Sequence, residues 1–185
     1  MGRGGAVLGI IGILLGAGAI GFTFVVWNGQ NTSNNLTRTN VVGVWDALTD
    51  NQDYSPHNAL DDWLLEFGDN TLINTDYILV SNTNTRITLL KPGWYRIHLS
   101  VLLDDISPAT IYWIRFLKDG AYEFFLDYYE TSGTVDSDYH SIDSSVFAYS
   151  NGTNYIEING YSFGANFIVH YEDLYNQLTI EFVVT

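Results

Sequence analysis

The stretch NTNTRITLLKPGWYRIHLSVLL, residues 82–103, decides the fold. Its second half alternates strictly. Tyr95, Ile97, Leu99, Val101 and Leu103 fall on one side, and Trp94, Arg96, His98 and Ser100 on the other. A period of two marks a strand with one buried face. In the first half Ile87 and Leu89 share a face in the same way. Lys91-Pro92-Gly93 lies between the halves, with proline fixing φ and glycine free to take positive φ. The stretch therefore predicts a strand, a tight turn and a long central strand.

The same texture extends in both directions. At the end of the chain, Leu178, Ile180, Phe182 and Val184 alternate with Thr179, Glu181, Val183 and Thr185. Further predicted strands are Val41–Leu48, Trp63–Phe67, Tyr77–Val80, Tyr112–Lys118, Tyr122–Leu126, Ser145–Tyr149, Tyr155–Ile158 and Phe167–Tyr171. Lys118-Asp119-Gly120, Asn151-Gly152 and Asn159-Gly160 supply turn signals. No amphipathic helix of useful length follows Trp27. Roughly ten short strands predict an all-β, two-sheet sandwich, a jelly roll in its simplest form. Tyr112 to Leu117 carries bulky apolar groups on both faces, which predicts that a second face is covered by another subunit.

These residues resemble the C1q/TNF-like superfamily. Pro92-Gly93-Trp94-Tyr95, followed by Ile97, Leu99 and Val101, is similar to its Gly-x-Tyr strand opening. WIRFLKDG, residues 113–120, resembles the family's strand ending in a Lys-Asn-Gly turn, with Asp119 in place of Asn. NYIEINGYSF, residues 154–163, resembles the strand and Gly-Asp turn that follow, although no Asp comes after Asn159-Gly160. LTIEFVVT stands where the closing strand would be. The resemblance covers residues 41–185. It implies a ten-stranded jelly roll that commonly trimerises around a three-fold axis of aromatic side chains. The collagen-like repeat of C1q proper is missing, and the layout resembles that of TNF-like ligands with an N-terminal anchor.

Ahead of this domain, Gly5 to Trp27 is an almost unbroken apolar run of 23 residues without charge. As a helix it would extend about 34 Å, enough for a bilayer core of roughly 30 Å. Arg3 marks the cytoplasmic side and Trp27 the interface, which would place the following domain outside. Ala17-Gly18-Ala19 would serve as a cleavage site, yet the run continues to Trp27, which a removed signal has no need to encode. Residues 1–27 therefore read as a retained helix in contact with membrane lipids through residues 5–27, or in a filament core. Gly5, Gly9, Gly12 and Gly16 recur at spacings of three and four, a face on which helices pack closely. Residues 28–40 read as a polar linker and 41–185 as the β domain. Asn31, Asn35 and Asn151 begin N-x-[ST] sequons and are glycosylation candidates.

Composition narrows the chemistry. Acidic residues number 21 against 7 basic ones, a surface that repels phosphate backbones, so no nucleic-acid partner is expected. With no cysteine, disulfides and zinc–thiolate sites are excluded. His57, His98, His140 and His170 have no metal-ligand spacing, and His98 and His170 read as surface or interface residues. Asp61-Asp62 and Asp104-Asp105 are adjacent pairs, which a strand points to opposite faces, so no catalytic residue is nominated. Asp136, Asp138 and Asp143 sit in the loop-like TVDSDYHSID and would wrap a hard cation. Structural calcium is the only cofactor this nominates. Solvated loop acids are the plainer reading.

The function expected is a non-enzymatic cell-surface structural or adhesive protein. It would self-assemble through its helix and jelly roll, as a homotrimer or filament, and act by multivalent contact on an extracellular ligand. A pilin-like filament subunit and a viral coat jelly roll are the alternatives. Arg3-Gly4 loosely resembles a pilin processing site, but no glutamate opens the helix.

Overall fold

The computed structural model describes residues 38–45, 61–68, 71–134, 139–170 and 173–184. Contacts divide the chain into Thr39–Val183 and a second unit of Met1–Arg38 with Val184–Thr185. The expected hydrophobic helix, with Gly5, Gly9, Gly12 and Gly16, lies outside the described residues, as do Asn31, Asn35, Asp136 and Asp138. Among the described residues no helix is long and apolar enough to cross a membrane.

Among the described residues, twelve strands build the β domain. They are β1 (Arg38–Trp45), β2 (Asp62–Leu64), β3 (Leu72–Ile73), β4 (Ile78–Ser81), β5 (Arg86–Leu89), β6 (Pro92–Asp104), β7 (Ile111–Lys118), β8 (Ala121–Glu130), β9 (His140–Asn151), β10 (Tyr155–Ser162), β11 (Ile168–Val169) and β12 (Gln177–Val184). β1 takes in Arg38–Asn40, three residues placed above in the linker. Two sheets of six strands result, the jelly roll expected from the alternation.

In the first sheet β6 is central. β9 pairs with it from Pro92↔Asn151 to Leu103↔His140, and β12 and β11 follow one another along its other edge. β1 and β3 complete that sheet. In the second sheet β10 pairs with β7 on one edge and with β5 and β2 on the other; β8 and β4 are the outer strands. The inward residues of β6, from Tyr95 to Leu103, are all buried, as are Leu178 and Ile180 of β12. They meet Ile87, Leu89, Tyr112, Ile114, Phe116, Ile156 and Ile158 from the second sheet in one core.

Three local readings of the sequence change. Asn159-Gly160, expected as a turn, lies inside β10. Gly160 stands opposite Trp63, and a Cβ there would collide with the indole ring, so glycine serves close approach of β2 and not a turn. Trp63 is buried and its indole N–H donates to the Phe167 carbonyl at 2.9 Å. His140 to Asp143, read as loop, are the start of β9, because β6 is long enough to pair with them. His170, expected on a surface or at an interface, is buried within the chain beside Asp104 and the rings of Tyr139 and Tyr175.

Candidate interaction surface

The outward residues of β9, β6 and β12 form a grid fixed by strand register. Tyr149, Trp94 and Val183 make one row, Phe147, Arg96 and Glu181 the next, then Ser145, His98 and Thr179, then Asp143, Ser100 and Gln177. The polar rows are paired within the face. Arg96 Nη1 lies 3.5 Å from Glu181, His98 Nε2 3.4 Å from Asp143, and His98 Nδ1 2.9 Å from the Ser145 hydroxyl.

The aromatic end has no such cover. Trp94 is 47% exposed, Tyr149 48% and Phe147 54%. Trp94 and Tyr149 meet edge to face with centroids 5.6 Å apart, so two large rings are held as one ridge. Each leaves roughly 100 Å² of apolar surface in water, about 2.5 kcal/mol apiece if buried at ~25 cal/mol per Å².

The turn at Pro92 and Gly93 sets that ridge in place. Gly93 has φ 146°, and a Cβ there would lie 2.8 Å from the Phe182 ring, so only glycine fits. Pro92 opens β6 opposite Asn151, at the one strand position where the missing N–H costs least. Tyr95, on the inward side, packs against Phe182 at 5.1 Å. Its phenol oxygen accepts from the Lys91 N–H at 3.1 Å, and its proton faces the carbonyls of Lys91 and Tyr77 at 3.1 and 3.3 Å. Burial pushes this phenol above the usual tyrosine value; the Lys91 hydrogen bond pulls it down and neighbouring Tyr77 pushes it up again.

Asn151, at the end of the same outward series, is exposed, and its Oδ1 accepts from the Thr153 N–H at 2.9 Å and hydroxyl at 2.8 Å. Its sequon is thus folded so that the hydroxyl contacts the acceptor amide. Asp143 stands exposed on β9 beside His98, and among the described residues no group of three His, Asp or Glu is placed to hold a metal ion. Spacing alone did not reveal the aromatic ridge, because Phe147 and Tyr149 lie about fifty residues from Trp94; only the register of β6 with β9 brings them together.

Solved structures similar in fold include murine APRIL at pH 8.0, with 13% identity and TM-score 0.52 over 78% of this chain and 99% of the other. Murine APRIL at pH 5.0 aligns with 13% identity and TM-score 0.53 over 77% and 98%. At that identity the likeness is one of fold, the two-sheet jelly roll. No protein-family profile and no curated protein matches the sequence.

Proposed function

We propose that the chain is a non-enzymatic, outward-facing structural or adhesive protein whose jelly roll self-associates through the Trp94–Phe147–Tyr149 ridge. The observation that carries this reading is that ridge: three half-exposed aromatic rings clustered on one sheet face whose charged groups are already paired. Large exposed apolar clusters on folded proteins mark contact sites, and aromatic residues are enriched at the centres of interfaces. A homotrimer with the ridge near its axis accords with the C1q/TNF-like resemblance. The glycine-spaced helix of residues 1–27 would add a second, parallel association.

Electron microscopy and native mass of the full-length chain as isolated test the reading. Dispersed particles of three chains of 20.8 kDa are expected. Filaments or closed shells would favour the pilin-like or coat alternative, and monomers would end the proposal.

A further inference from the structure

The second sheet also has an outward face, and it is unlike the first. Trp113 and Arg115 of β7, Tyr161 and Asn159 of β10 and Tyr122 and Phe125 of β8 all lie on it. Trp113 and Tyr161 stack at 27° with centroids 5.4 Å apart. Other rings meet them edge to face: Trp113 meets Phe125 at 69° and Phe163 at 83°, and Tyr161 meets Phe163 at 81°. Tyr122 is 63% exposed and Phe125 62%.

Beneath this rim lies a cation. Arg115 is only 6% exposed although it points away from the core. Its guanidinium sits 4.2 Å from the Tyr122 ring and 4.6 Å from Tyr161, and Nε donates to Asn159 Oδ1 at 2.7 Å. Nη2 is ion-paired with Asp62 Oδ1 at 3.7 Å, but that oxygen is beyond hydrogen-bond reach and already accepts from Asn159, so the buried Nη2 has no hydrogen-bond acceptor. The Trp113 indole N–H is buried and unpaired as well. Two idle donors under exposed aromatics have the anatomy of an interface hot spot, a desolvated Arg/Trp centre within an apolar rim.

We propose that this face is a second docking surface, for a protein segment that presents a carboxylate between apolar or aromatic side chains. The carboxylate would complete Arg115 Nη2 and Trp113 Nε1, and its neighbours would pack on Tyr122 and Phe125. A carboxylate fits best because the idle donors include a guanidinium, and such charge-assisted bonds are the strong ones. Tyr122 and Phe125 are exposed enough to turn aside on binding, since surface rotamers change within nanoseconds.

The chain has five tryptophans, so ¹⁵N-indole labelling of the full-length protein gives a sparse readout. Trp113 reports this face and Trp94 the other, and Trp113→Phe assigns the signal. The probes are a short Gly/Ser peptide with a central Phe-Glu-Phe and its Phe-Gln-Phe and Phe-Lys-Phe analogues. The Glu peptide is expected to move the Trp113 signal saturably, and the Gln analogue to bind about tenfold more weakly or less. Arg115→Gln should abolish the difference between Glu and Gln. Because Arg115→Gln could fail to fold, Tyr122→Ser/Phe125→Ser, which changes only exposed rings, should also lose binding of the Glu peptide. Equal binding of the three peptides, movement of Trp94 instead, or undiminished binding by the ring variant would overturn the proposal. So would a Trp113 signal that moves with protein concentration alone, since the occupant would then be a second copy.

Discussion

Replacing Gly160 by Ala tests how the two faces are tied to the core. A Cβ at this position collides with the six-membered ring of Trp63, whose side chain is fully buried. The ring cannot retreat freely, because it packs on Phe167 at 5.1 Å and its N–H is bonded to the Phe167 carbonyl. Overpacking of this kind costs about 1–3 kcal/mol, and losing the indole hydrogen bond a further ~0.5–1.5 kcal/mol. The expected total is about 2–4 kcal/mol, roughly 6–12 °C in Tm for a domain of this size. β2 should shift with Trp63 and carry Asp62 away from Asn159 and Arg115 on the outward face. Denaturant unfolding of Gly160→Ala, Trp63→Phe and the double variant measures this. A smaller ring should relieve the collision, so the double variant is expected at least about 1 kcal/mol above the additive sum. A Gly160→Ala loss under about 0.5 kcal/mol, or additivity within that margin, would refute the reasoning.

Tyr95 gives a pH-dependent expectation. Its phenol is held above the ordinary value in the folded chain, so an unfolded chain releases this proton first as pH rises. Its contribution is therefore fully present below pH ~10 and is lost as pH climbs through the folded value. Tyr95→Phe should cost about 1–2 kcal/mol at neutral pH, with the gap to wild type narrowing above pH ~10; a constant gap across alkaline unfolding curves would contradict this. Substituting Leu for Gly9, Gly12 and Gly16 should weaken assembly of the full-length chain, and unchanged assembly in sedimentation would show that those glycines pack nothing. Asn151 should carry a glycan when the chain is secreted from a glycosylating host, which Asn151→Gln removes; unmodified Asn151 in such material, by mass spectrometry, ends that role.

Much of the fold was legible because β6 and β12 each bury one face and solvate the other, and a two-residue period survives in the sequence. Asn159-Gly160 misled because the pair is a strong turn signal, and nothing local says that Trp63, almost a hundred residues away, needs the space. Polar residues hid the start of β9: Ser141, Asp143 and Ser144 look like loop until Ile142 and Val146 are seen to face the core. The surfaces were less legible than the core. Bulky groups on both sides of Tyr112–Leu117 suggested that another subunit covers the second face; the burial of Arg115 on that face depends instead on rings from β8 and β10 of the same chain. Likewise, the alternation placed Trp94 outward without saying that Phe147 and Tyr149 would surround it.

The most direct test is the native mass of residues 38–185, without the apolar run of residues 5–27, beside the same chain carrying Trp94→Ser and Phe147→Ser. Removing both rings takes away about 5 kcal/mol of apolar burial per contact, more than a thousandfold in association. The parent is expected as a trimer and the variant as a folded monomer. A monomeric parent, or a variant that stays trimeric, would contradict assembly through the Trp94–Phe147–Tyr149 ridge.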